Sequence, residues 1–274
     1  MTGAAPLRKS EWSAGLIGPG IRRIVLEQSK RAHVGHIGSA LSVADMVGAA
    51  FSLLGNQNHD DPERDRFVLS KGHAALALYA ALAQVGALRE ADLATFCGDN
   101  SLLGVHPDHM LPGVDFSTGS LGQGLSLAVG SALAAHMRGS PRRVFVLVSD
   151  AECEEGAIWE AAMFASHHHL TNITVLVDHN HQQAFGYTPD VLDSADLASR
   201  WEAFGWDVVE ADGHDEVALG AILASATTEQ PRVVVAETVF GKGVSFMERQ
   251  IKWHYLPMSD EEYDQAMREI GAGQ

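Results

Sequence analysis

Two polar clusters in this chain stand where apolar runs end. Residues 144–148 lead into Ser149-Asp150-Ala151-Glu152, and residues 173–177 lead into Asp178-His179-Asn180-His181-Gln182. Asp150 and Asn180 are thirty positions apart. A strand, a helix and a second parallel strand fill that spacing. They would bring both oxygen-bearing side chains to the carboxyl edge of one sheet, where ligands of open α/β sheets bind. The carboxylate of Asp150, the amide oxygen of Asn180 and the backbone carbonyl of Gln182 form a hard-oxygen set. Such a set suits Mg²⁺ or Ca²⁺ and leaves coordination positions for phosphate oxygens. The turn after Asp150 and the helix start behind it add N–H groups and a positive dipole end. Taken singly, either residue reads as a cap or a turn; the pair at two strand ends points to a metal–diphosphate site.

The elements that must position this pair are legible in the periodicity. A helical face with positions Ile21, Ile24, Val25 and Gln28 runs to residue 32, and Ser42 stands as the N-cap of a helix through residue 54. A short strand over 66–70 turns through Lys71-Gly72 into a helix over 73–85. Residues 86–116 are rich in turn formers; an irregular stretch of that length in a compact domain usually carries function. A small-residue helix spans 125–137. Then come strand 144–148, helix 156–169, strand 173–177, helix 194–204, strand 207–211, helix 216–227 and strand 232–238. A glycine-containing loop over 241–257 and an amphipathic helix over 259–270 close the chain. That alternation predicts an α/β fold with a mostly parallel, twisted sheet and helices on both faces. No repeat or linker divides the sequence, so one domain over 1–274 is expected, with a short N-terminal extension.

Composition narrows the function classes. The 274 residues carry 19 Lys+Arg against 35 Asp+Glu, a net charge of −16, so nucleic acid and anionic membranes are not the expected partners. A diphosphate would be repelled by this overall field and must be held by a metal and local dipoles. Two cysteines, Cys97 and Cys153, make neither a disulfide framework nor a zinc site. No apolar run approaches the ~20 residues of a membrane span, and residues 1–10 lack a signal-peptide core. A cytoplasmic location is expected.

The order of motifs resembles the transketolases. The residues that carry the resemblance are Gly35-His36-Ile37-Gly38, Arg64 to Ala74 with Ser70-Lys71-Gly72-His73, Gly104-Val105-His106-Pro107, Thr118-Gly119-Ser120-Leu121-Gly122-Gln123-Gly124, Ser149-Asp150-Ala151-Glu152 with Glu155-Gly156 and Trp159-Glu160, Asn180, and the segment from Thr238 to His254. Together they cover roughly residues 20–257. The resemblance implies the thiamine-diphosphate-binding fold, and within it the pyrophosphate-binding domain.

It also implies thiamine diphosphate with Mg²⁺ (or Ca²⁺) on Asp150, Asn180 and Gln182. Gly119, Ser120, Leu121, Asp150, Ala151, Glu152, Glu155, Glu160 and Asn180 would form the cofactor surround, with Leu121 near the thiazolium and Glu155 and Glu160 in a subunit-contact network. His36, His73, His106 and His254 would surround the reactive carbon and the substrate hydroxyls. Imidazole titrates near neutrality and suits the proton movements of two-carbon transfer. By contrast His167-His168-His169 reads as a helix end whose rings cap carbonyls.

Four positions depart from the family pattern. Ala151 stands where a second glycine is usual, His181 and Gln182 replace a lysine and an aliphatic residue, and Tyr255 follows His254 in place of glycine. The family's pyrimidine-binding domain, with the glutamate that activates the cofactor, is expected on a separate C-terminal subunit. An α2β2 heterotetramer acting on sugar phosphates follows from the resemblance. Two alternatives stay open: delivery of the two-carbon unit to a carrier-bound thiol, and a degenerate, non-catalytic subunit.

Overall fold

Strand-forming Val, Ile, Phe and Leu runs build the centre of the molecule. The computed structural model describes residues 16–55, 58–192, 196–227 and 229–272. In chain order the strands are β1 (Arg66–Leu69), β2 (Val144–Ser149), β3 (Ile173–His179), β4 (Gln182–Gln183), β5 (Gly186–Tyr187), β6 (Asp207–Asp212) and β7 (Arg232–Glu237). Five of them form one sheet in the order β1-β2-β3-β7-β6, with every pairing parallel. β4 and β5 form a small antiparallel hairpin after Asn180.

Helices cover both faces, as the alternation predicts. On one face lie α1 (Gly18–Ala32), α2 (Ile37–Ser42), α3 (Ala44–Leu54) and α4 (Ala75–Gln84), followed along the chain by the one-turn α5 (Glu90–Leu93). The opposite face carries α6 (Gln123–Met137) and α7 (Gly156–His167); beyond the one-turn α8 (Thr188–Val191) it also carries α9 (Leu197–Ala203). The strand period of two sorts each strand between the two cores. Phe145 and Leu147 pack with Ile21, Val25 and Leu41, while Val144, Val146 and Val148 pack with Leu125, Ile158 and Trp201. α10 (Glu216–Ala224) returns to the first face, where Leu219 and Leu223 join the first core. The step from β6 back to β7 reverses the direction of the sheet, and a right-handed crossover then places its helix on the other side. α11 (Lys252–Tyr255) and α12 (Asp260–Ala272) complete that face through Trp253, Met258 and Ala266.

Several details differ from the sequence reading. Ser42 is not an N-cap; it ends α2, and its hydroxyl donates to Asp178 Oδ1 at 2.7 Å. Buried polar satisfaction therefore outweighs capping at that position. α1 begins earlier than expected because Pro19 favours the first turn, and Leu26 and Ser29 are buried rather than Gln28. The loop over 241–257 contains the turn of α11, and residues 182–187 form a hairpin where no structure is legible in the sequence. The helix expected from 194 begins at Leu197; residues 194 and 195 lie outside the described ones. Among the described residues no helix is long and apolar enough to cross a membrane.

Candidate active site

Parallel pairing of β2 with β3 puts Ser149 opposite Asp178, so both strands deliver their following residues to one edge. Asp150 and Asn180 meet there. The carboxylate of Asp150 accepts the backbone N–H of Ala151 and that of His181, both at 2.8 Å, and the hydroxyl of Thr188 at 3.3 Å. Asn180 Oδ1 accepts the N–H of Gln182 at 2.9 Å. The turn Asn180-His181-Gln182 thus wraps the Asp150 side chain and holds the predicted metal set together.

Beneath it lies a buried hub that sequence reasoning missed. Asp178 accepts from Ser42, Thr238, the Asn180 amide at 2.8 Å and Lys71 Nζ at 2.5 Å. Lys71 is 1 % exposed and Asp178 is fully buried. A charged residue at the end of an apolar strand was the available signal, and Ser70-Lys71-Gly72 was the matching one. Burial, and next the charge of Asp178, push the Asp150 carboxyl up to about 7. Lys71 already serves Asp178, so Asp150 has only uncharged donors among the described residues. Gln182 Oε1 is buried without a hydrogen-bond partner among the described residues. A cation-poor carboxylate, an amide oxygen and an orphaned acceptor are the donor chemistry a hard divalent ion requires.

Ala151 does not adopt the left-handed conformation that a glycine would be needed for. Its N–H is engaged by the carboxylate of Asp150, and residues Ala151–Glu154 form a 3₁₀ turn before α7. Glu152 is fully buried, and Gly122 N–H at 2.8 Å, Ser149 N–H at 3.3 Å and the Ser70 hydroxyl all donate to it. Burial raises its pKa. It therefore acts on the site by fixing the Gly119–Gly124 turn against the sheet edge. Gly122 caps α6 at φ +85, and a β-carbon there would stand 2.7 Å from Glu155 Cβ. Ser120 and Leu121 are exposed on that turn, and Glu155 and Glu160 are exposed along α7.

Three of the four selected histidines form a triangle. Ring centroids of His36, His73 and His254 are 5.3–5.5 Å apart. His36 reaches its place with φ 60 at the start of α2, and its N–H donates to His254 O at 3.2 Å. The backbone of Gly35 passes so close to Tyr255 that a β-carbon would lie 2.3 Å from its carbonyl oxygen. His73 Nε2 pairs with Ser39 Oγ at 3.1 Å. His106 lines the same cavity, with its Cδ2 3.0 Å from where a β-carbon on Gly119 would sit.

Burial lowers all three clustered imidazoles. His254 falls to about 4, with His36 and Lys71 adding to the effect. His73 lies well below the usual range through burial and then Lys71, and His36 is lowered by burial and then His106. At neutral pH each ring is uncharged and offers one donor and one acceptor. The buried Nδ1 atoms of His36 and His254 have no partner among the described residues.

These groups share a cavity of about 450 Å³, open between the Gly119 turn, the β4–β5 hairpin and α11. Tyr255, the residue in the usual glycine position, bridges the last two by donating its hydroxyl to Ala184 O. A second cavity of about 480 Å³ shares no lining residue with it, and its Arg22, Asp45 and His214 already pair with one another. The expected carbonyl-capping role of His167-His168-His169 finds no hydrogen bond from these rings among the described residues; His168 instead packs its ring against Phe164 at 4.3 Å.

Comparison with known proteins agrees with this geometry. The family described as "Transketolase, thiamine diphosphate binding domain" matches residues 16–273. The 6-deoxy-6-sulfo-D-fructose transketolase subunit SqwG of Clostridium sp. (strain MSTE9) is 39% identical over 256 residues, covering 91% of this chain and 93% of that protein. An apulose-4-phosphate transketolase subunit from Actinobacillus succinogenes is 39% identical over 254 residues, covering 91% of this chain and 92% of that protein. Among solved structures, transketolase from Campylobacter jejuni superposes with a TM-score of 0.87 at 27% identity, covering 97% of this chain. The present chain spans 43% of that longer one. With its metal-suited pair and histidine triangle on the matched segments, this chain belongs to the transketolase family.

Proposed function

We propose that the chain is the thiamine-diphosphate-holding subunit of a two-component transketolase, moving a two-carbon ketol unit from a ketose phosphate to an aldose phosphate. One observation carries the reading: three uncharged imidazoles line a single cavity together with Ser149, Ala151 and Gln182, the chain neighbours of the Asp150–Asn180 pair. Asp150, Asn180 and the Gln182 carbonyl would hold Mg²⁺, and through it a diphosphate. When bound, thiamine diphosphate supplies the chemistry that breaks and remakes the carbon–carbon bond beside a carbonyl. The protein's part is position and proton traffic. Neutral His36, His73 and His254 can each donate to a carbonyl oxygen and accept from a hydroxyl, so the same rings serve donor cleavage and acceptor addition. We read the chain as one pyrophosphate-binding domain. Its unpaired cysteines are in keeping with a cytoplasmic location.

The need for a partner is supported by an exposed apolar surface on two helices. α6 and α7 expose Leu127, Met137, Met163 and Phe164, with Met137 77% and Met163 51% accessible. Glu160 lies one turn before Met163 and Phe164 on α7, and Glu155 caps that helix. We read this face as the seat of a separate C-terminal subunit bearing the pyrimidine-binding domain, within an α2β2 assembly. The test is an assay of ketol transfer between sugar phosphates by the chain alone and with its candidate partner. Activity is expected only from the mixture; robust turnover by the isolated chain would refute the reading.

A further inference from the structure

A second group of metal-ligating side chains lies on the outer side of Asp150. Ligand atoms of Asp150, His179 and His181 all lie within 4.8 Å of one another. His179 ends β3 and His181 follows in the turn beyond it with φ 59, and the two ring centroids lie 4.1 Å apart. Glu237, at the end of β7 and directly opposite His179 in register, touches both rings. Its carboxylate lies 2.8 Å from His181 Nε2 and 3.3 Å from His179 Nδ1.

This set differs chemically from the oxygen set of Asp150, Asn180 and Gln182. Two imidazoles and a carboxylate select a borderline divalent transition metal over Mg²⁺. Glu237 occupies the place of the carboxylate that commonly orients metal-binding histidines and raises their basicity. Tetrahedral zinc, with bonds of about 2.0–2.1 Å, places its ligands about 3.3 Å apart. The three atoms would thus need to draw together by at most about 1.5 Å. His181, with its side chain 42% exposed, has the freedom to close that distance.

We propose that Asp150, His179 and His181, oriented by Glu237, form a binding site for a transition metal of the Zn²⁺ or Co²⁺ class. Resting on the functional reading above, a consequence follows: Asp150 belongs to both sets, so occupancy of the histidine site withdraws a ligand from the ion that holds the diphosphate. The chain would then bind its cofactor more weakly when zinc is abundant.

The test is titration of the metal-free full-length chain with Co²⁺, read by visible absorption, with Zn²⁺ as competitor. The expected result is saturable Co²⁺ binding with histidine-type d–d bands that Zn²⁺ abolishes. His179→Ala and His181→Ala should each weaken it at least ~10-fold, and Glu237→Gln by ~10- to 100-fold. Because both histidine side chains lie outside the oxygen set, this result holds whether or not thiamine diphosphate is the cofactor. Folding of each variant is checked by circular dichroism. Absence of Co²⁺ bands, or bands indifferent to both histidine variants, would overturn the proposal.

Discussion

Replacing Lys71 with methionine tests the buried hub on which the site rests. Lys71 Nζ lies 2.5 Å from Asp178 Oδ2, and both residues are almost wholly buried. Methionine keeps the apolar stem but leaves the Asp178 carboxylate with three uncharged donors: Ser42, Thr238 and Asn180. Removing one partner of a buried pair costs about 3–5 kcal/mol, because the remaining charge is neither solvated nor compensated. For a chain of this size that corresponds to a fall in Tm of roughly 5–9 °C. Lys71→Met/Asp178→Asn removes both charges, and replacing a whole buried pair is often close to neutral. The double variant should therefore recover most of the loss in urea unfolding of the same preparation. A single variant that costs less than about 1 kcal/mol, or a double variant as unstable as the single, would refute the reasoning.

Two other expectations follow from the geometry. The His254 ring titrates near 4 in the fold against 6.5 in the unfolded chain, so its contribution to stability is complete above about 6.5 and is lost as pH falls toward 4. His254→Asn should shrink the stability lost between pH 7 and pH 5 by about 1–2 kcal/mol in urea unfolding, and an unchanged difference would contradict the assignment. Met163 is half exposed on α7; Met163→Glu should leave unfolding within about 0.5 kcal/mol, as surface substitutions do. The same variant should weaken association with the candidate partner at least ~10-fold by sedimentation, since a charge is left facing an apolar surface; undiminished association would remove that face from the interface.

How much of this was legible in the sequence depends on range. The near-continuous apolar runs of residues 144–148 and 173–177 mark two buried parallel strands, and the crossover rule then brings Asp150 beside Asn180. The histidine segments are identifiable through their ordered motifs, because His36, His73 and His254 lie far apart in sequence and only the fold gathers them. Local rules erred at Ser42, whose hydroxyl looked like a cap but serves Asp178 across 136 positions. Nor did any local pattern signal that three protein donors, two of them distant in sequence, converge on Glu152. The Lys71–Asp178 pair stayed hidden because nothing nearby announces a partnership 107 positions apart. Concern over Ala151 dissolves for a backbone reason: the turn there needs no positive φ.

The most direct measurement is calorimetric binding of thiamine diphosphate to the chain with its candidate partner, with and without Mg²⁺, comparing the native sequence with Asp150→Asn. Outer partners of metal ligands are alone worth 10- to 100-fold in affinity, so loss of a ligand charge should cost at least about 100-fold. Mg²⁺-dependent binding that collapses in Asp150→Asn is the predicted result. Equal affinity in the two proteins, or affinity indifferent to Mg²⁺, would contradict a metal-held diphosphate at this sheet edge.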